Sequence, residues 1–295
     1  MTIPAKLTQV TEHPPRVRAL RRALGSLSDT VSPAVDLLKP PYVEGTEHLP
    51  RDGRCLLVGN HTQGGMEVLL ISHFVRRTIG TQVRPLAERG IGEMRGPVGD
   101  VAAAYGAVVG SPENALELMR QDQTILVFPG GGREIAKFKG EENTFNWRGR
   151  TGFARVAVAG GYPIVPVGLV GSDEMYHSLI SRDSRWGRLS LATTEMITGR
   201  QDTPMPLMRG IGPTLIPRPQ RMYLRFGVPV STTKPAGVSD DEWVATVKQT
   251  TQTSLETILS DLLKIRSDDP YRGLNPLAWR HAARPATERI PPEQQ

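Results

Sequence analysis

The chain alternates between short, continuously apolar runs and longer stretches with helical spacing. Arg54-Cys-Leu-Leu-Val-Gly59, Thr124-Ile-Leu-Val-Phe128 and Pro163-Ile-Val-Pro-Val-Gly-Leu-Val170 each predict a buried strand, and Met222 to Phe226 predicts a shorter one. Between them, Glu67 to Arg77 and Gly152 to Ala159 carry helical patterns. Ser111-Pro112-Glu113 opens another helix, which runs to about Gln121, with Ser as N-cap and Pro at the first helical position. Ser239 and Glu242 form a capping box. The long helix that follows puts Val244, Val247, Thr251, Ile258, Leu262 and Ile265 on one face. Near the N-terminus, Val17, Leu20, Leu24 and Leu27 form an apolar stripe flanked by Arg16, Arg18, Arg21 and Arg22.

Strands that are apolar throughout, rather than at every second residue, belong to a sheet covered on both faces. Their alternation with helices predicts an α/β fold. The expectation is a single domain with a mostly parallel central sheet flanked by helices, plus an N-terminal amphipathic helix. Residues 1–39 hold the tail and basic helix, 40–267 the domain, and 268–295 an irregular tail rich in Pro and Arg.

Composition narrows the function. At 295 residues with 38 % hydrophobic and 22 % charged, the chain can bury a sizeable core, which excludes disorder over most of its length. One cysteine, Cys55, excludes an internal disulfide framework and a cysteine zinc cage. The net charge of +6 favours anionic partners. The basic N-terminal helix suits an anionic membrane surface, or it packs on the domain with its arginines solvated. Aromatic residues are 5 %, too few for stacking platforms, so no nucleic-acid partner is expected. No run approaches the roughly 20 apolar residues of a membrane span, and the N-terminus has no apolar signal-peptide core. The expected location is cytoplasmic, at the membrane periphery.

Several common chemistries have no signature here: no G-x-x-x-x-G-K-[ST] loop, no G-x-S-x-G elbow and no H-E-x-x-H pair. No metal is expected. The informative segment is Val58-Gly-Asn-His-Thr-Gln-Gly-Gly-Met-Glu-Val68. His61 stands just past the C-terminal end of a buried strand, where ligands meet open α/β sheets. Glu67 follows six positions later. On a continuous helix six residues turn about 600°, so the two side chains would point apart. Gly64-Gly65 allows the chain to bend between them. A carboxylate in the first turn of the next helix is favoured by the helix dipole. Held against the imidazole, it would fix the tautomer and stabilise the imidazolium.

A second buried strand runs into Phe128-Pro-Gly-Gly-Gly-Arg-Glu134. Gly130, Gly131 and Gly132 can turn backbone N–H groups toward one point and so cradle an oxyanion. Arg133 adds a positive fork, and Glu134 closes the segment as a substrate-binding candidate. The same residues also read as a wide turn carrying a surface arginine. Lys137, Lys139, Arg148, Arg150 and Arg155 could meet phosphates or simply form a solvated basic face.

In this order, the Asn60-His61 segment, FPGGGR (Phe128 to Arg133) and IVPV (Ile164 to Val167) resemble the glycerolipid (PlsC-like) acyltransferase family over about residues 40–265. Arg133 to Glu142 and Tyr223 to Pro229 resemble its branch of type-two diacylglycerol acyltransferases and plant phytyl ester synthases. The family's usual acid stands five positions after the histidine, here Met66, and Glu67 takes its place as in the phytyl-ester branch. Gly130 stands where the loop usually carries glutamate, and Gly106 to Ser111 lacks the arginine of the phosphate-ester enzymes.

The resemblance implies O-acyl transfer from acyl-CoA or another thioester to a neutral lipid hydroxyl, such as that of diacylglycerol or a long-chain alcohol. His61 is the implied base and Glu67 its orienting acid. Acyl-CoA is a co-substrate and no further cofactor is implied. An esterase or thioesterase using the same dyad, or a catalytically degenerate lipid-binding protein, are the alternatives.

Overall fold

In the computed structural model, residues 15, 17–20, 41–88, 97–198 and 207–273 are described. The strands are β1 (Tyr42–Glu44), β2 (Leu56–Gly59), β3 (Val83–Ala87), β4 (Val108–Val109), β5 (Thr124–Val127), β6 (Ile164–Val170), β7 (His177–Ser178), β8 (Met208–Arg209) and β9 (Tyr223–Phe226). The helices are α1 (Met66–Ile79), α2 (Pro97–Ala104), α3 (Pro112–Arg120), the short α4 (Gly132–Ile135), α5 (Gly152–Gly160), α6 (Arg185–Thr198) and α7 (Asp240–Asp268).

Seven strands form one sheet in the order β1-β9-β6-β2-β5-β3-β4. β2 runs parallel to both β5 and β6, and β3 runs parallel to both β5 and β4. β9 is antiparallel to β6 and carries β1 parallel to itself, so these two strands reverse an otherwise parallel sheet. The fold is the expected α/β architecture with a mostly parallel sheet.

The unbroken apolar runs follow from burial on both faces. In β2, Leu56 and Val58 point into one core layer with Ile125, Ile164 and residues of α3, α5 and α7. Leu57 and the preceding Cys55 point into the other, with Leu126, Val165 and Ile71 and Val75 of α1. Every residue of β6 is buried. Burial also pushes the Cys55 thiol up to about 12, so it is an inert core group.

Helix starts follow the sequence signals. Ser111 Oγ accepts from Asn114 N–H at 3.1 Å with Pro112 next to the cap, and Ser239 Oγ accepts from Glu242 N–H at 3.3 Å. At the N-terminus, residues 17–20 are helical. Val17 is buried against Ala103, Ala104 and Val109, with Leu20 packed alongside. At this end the stripe faces the protein. Leu24, Leu27 and the tail beyond Gly273 lie outside the described residues. Among the described residues no helix is long and apolar enough to cross a membrane.

Candidate active site

β2 and β5 are neighbours, and Val58 lies opposite Val127, so the loops that follow them leave the sheet side by side. His61 comes two residues after β2, and Phe128 comes directly after β5. The two rings stack, with centroids 4.4 Å apart and planes 13° apart. Gly64 (φ 85°) and Gly65 (φ 70°) then take left-handed conformations that L side chains resist, reversing the chain into α1.

That reversal brings Glu67 under His61. Glu67 Oε1 meets His61 Nδ1, and Thr62 Oγ1 donates to Glu67 Oε2. The Glu67 side chain is fully buried, while 16 % of His61 remains exposed. A carboxylate at Nδ1 assigns the neutral imidazole proton to that nitrogen. Nε2 is then the basic atom, and it makes no hydrogen bond among the described residues. A base held by a buried acid, with its lone pair free, can take a proton from a hydroxyl.

The Glu134 side chain, at the end of the glycine loop, meets this pair at the His61 main chain. Glu134 is buried, and its Oε2 accepts from the His61 N–H at 2.9 Å while Oε1 accepts from the Asn146 N–H at 2.9 Å. Its carboxylate is thus spent on backbone amides. Burial raises its pKa, against the lowering effect of those two hydrogen bonds. A Cβ on Gly130 would lie 2.0 Å from Glu134 Oε1. A side chain at position 130 is excluded because the Glu134 carboxylate fills that space.

The three glycine amides do not all converge. Gly131 N–H closes a turn onto the Phe128 carbonyl at 2.9 Å, and Gly132 N–H donates to Glu88 Oε1 at 2.9 Å. Gly130 N–H makes no hydrogen bond among the described residues. Arg133 is half-buried beside this loop. Arg150 braces it from outside, donating to the Pro129 carbonyl at 2.9 Å.

A buried polar network holds the histidine loop in place. The Asn60 amide exchanges two hydrogen bonds with the Leu169 backbone, both at 2.9 Å. Gln63 N–H donates to Asp173 Oδ1 at 2.8 Å, and its side chain donates to the Lys137 carbonyl at 2.9 Å. Lys137 Nζ pairs with Asp173 Oδ2 at 3.1 Å, both side chains nearly inaccessible. Lys137 therefore faces neither solvent nor an external phosphate, unlike the exposed Lys139, Arg148, Arg150 and Arg155. Burial also raises the Asp173 pKa, opposed first by Lys137. Sequence reasoning missed Glu88, Asn146 and Asp173 here. Their partners lie 12, 44 and 110 positions away for Asn146, Glu88 and Asp173, and no local spacing marks them.

A cavity of about 700 Å³ lies away from this site, lined by His48, Arg225, Phe226 and Ile258 among others.

Residues 41–170 match the protein-family model described as Acyltransferase. The chain is 28 % identical over 257 residues to phytyl ester synthase 1, chloroplastic, of Arabidopsis thaliana, covering 79 % of this chain and 35 % of that protein. It is 29 % identical over 283 residues to phytyl ester synthase 2, chloroplastic, of the same plant, covering 90 % of this chain and 40 % of that one. The chain thus spans two fifths or less of the length of these two relatives. Among solved structures, the 1-acyl-sn-glycerophosphate acyltransferase PlsC of Thermotoga maritima aligns with a TM-score of 0.45 at 17 % identity, covering 81 % of this chain and 80 % of that one. The histidine, its acid and the glycine loop all lie inside residues 41–170, the span that the Acyltransferase family model matches.

Proposed function

We propose that the chain is an O-acyltransferase that moves a fatty acyl group from an acyl thioester, acyl-CoA in the first instance, to the hydroxyl of a neutral lipid. The observation that carries this reading is the contact of His61 Nδ1 with the buried Glu67 carboxylate, which leaves Nε2 as the base. In this mechanism Nε2 removes the acceptor hydroxyl proton as its oxygen attacks the thioester carbonyl. The negative charge passes to the carbonyl oxygen, and Gly130 N–H is the glycine amide left to receive it. Collapse of that intermediate expels the thiolate, which takes the proton from His61. Arg133 holds the donor or acceptor beside the loop. No acyl-enzyme is needed: among the described residues no Ser or Cys hydrogen-bonds to His61.

Two features favour a neutral acceptor. Gly130 leaves no carboxylate side chain at that loop position, and the Gly106 to Ser111 segment offers no arginine for a phosphate ester. The names of the two plant relatives, phytyl ester synthases, favour a long-chain alcohol. The working location is the membrane periphery, where such acceptors reside.

The test is mass spectrometry of products formed from labelled acyl-CoA with a pool of diacylglycerol, long-chain alcohol, lysophosphatidate and glycerol 3-phosphate. Labelled ester on a neutral acceptor supports the reading. Label on the phosphate esters corrects the acceptor class. Free labelled acid as the sole product replaces transfer with hydrolysis.

A further inference from the structure

Between β6 and β9 the chain leaves the sheet and returns at the edge where His61 and the glycine loop also emerge. Among its described residues, several large apolar side chains are exposed. On α6, Trp186 (69 % exposed), Leu189 and Met196 (82 % exposed) share one face, and that face is turned to solvent. Beyond β8, Leu215 (67 % exposed) and Ile216 are likewise uncovered. So large a group of exposed apolar side chains marks an interaction surface.

Its charge indicates the partner. Residues 177–219 hold six arginines against three acids. Arg182 is engaged with Glu141, while Arg185, Arg188 and Arg209 are exposed among the apolar side chains. An aromatic-aliphatic face fringed by arginine complements the interface of an anionic bilayer. The excursion is also joined to the site. Gln63 Nε2 donates to Ser178 Oγ at 3.3 Å, and Lys139 N–H donates to the Ile180 carbonyl at 3.1 Å.

We propose that this excursion docks the protein on an anionic lipid bilayer, with Trp186, Leu189, Met196, Leu215 and Ile216 inserted and the neighbouring arginines on lipid phosphates. Docking here presents the edge that bears His61 to the membrane, so a lipid hydroxyl reaches the base without crossing water. The inference stands apart from the acyl-transfer reading, because binding is measured without turnover. A protein that docks but forms no ester overturns that reading alone.

The experiment is flotation of the full chain with vesicles of phosphatidylcholine, alone or mixed with phosphatidylglycerol, alongside tryptophan emission. The wild type should float with the mixed vesicles and shift its emission to the blue. Trp186→Phe should lose most of that shift. Leu189→Glu combined with Leu215→Glu should weaken binding about tenfold or more, with an unchanged circular-dichroism spectrum. Should that pair fail to fold, Arg185→Glu with Arg188→Glu keeps the apolar face and should abolish the preference for phosphatidylglycerol. Wild type that floats with neither vesicle overturns the proposal, as does a folded double-leucine variant that binds as well as wild type. If that variant instead turns a dimer into a monomer with vesicle binding unaltered, the face belongs to a second copy of the chain.

Discussion

Glu134 Oε2 accepts the backbone N–H of His61 at 2.9 Å, joining the glycine loop to the histidine loop across 73 positions of sequence. The base is thus aimed from two sides, by Glu67 at its ring and by Glu134 at its main chain. Glu134→Gln keeps the shape but turns an amide NH2 toward one of two backbone donors. The expected cost is about 1–3 kcal/mol of stability.

The pH dependence of that cost has a definite sign. Burial raises the folded-state pKa of Glu134 above its ordinary 4.5, so the folded protein binds this proton more tightly than the unfolded chain. Its contribution is fully present below about pH 4.5 and declines as pH rises through the raised value. The stability gap between wild type and Glu134→Gln should therefore narrow above pH 4.5. Denaturant titrations of both proteins across the acid range measure this, and a gap that widens with pH contradicts it.

Lys137→Met should leave Asp173 buried without its cation, at a cost of roughly 3–5 kcal/mol. Adding Asp173→Asn removes the orphaned charge, so the double variant should be less destabilised than the two single losses added together. Chemical denaturation of the four proteins closes the cycle. Strict additivity would show that the 3.1 Å pair does not act as a unit.

The position of the acid can be tested by moving it. Residues 66 and 67 are adjacent in the first turn of α1, so shifting the carboxylate by one rotates it about 100° around the axis. Met66→Asp combined with Glu67→Met moves the acid to five positions after the histidine and should lose activity by roughly 10²-fold or more, because the new carboxylate points away from Nδ1. Ester-formation rates near wild type would show that the loop re-forms around either position.

The sequence disclosed those parts of the fold whose cause is local. β2, β5 and β6 are continuously apolar because both their faces are covered, and that leaves a plain mark. The His61–Glu67 contact could be anticipated because Gly64-Gly65 is the one device that turns a six-residue separation into proximity. α6 leaves no plain mark, because Gly187, Arg188 and Ser190 stand among its apolar residues. β4, β7 and β8 are two residues each, too short for any period. In β3, Arg84 and Pro85 interrupt the apolar run even though the strand lies inside the sheet. The roles of Glu134 and of the Lys137–Asp173 pair depend on partners 73 and 36 positions away, which only the folded chain brings near.

The most direct measurement is the single-turnover rate of ester formation for wild type, His61→Ala, Glu67→Gln and the double variant. If Glu67 acts by orienting His61, each single change should slow the step by roughly 10²–10⁴-fold, and the double should be no slower than His61→Ala alone. Ester synthesis retained in His61→Ala, or losses that simply multiply in the double variant, would contradict a base aimed by that carboxylate.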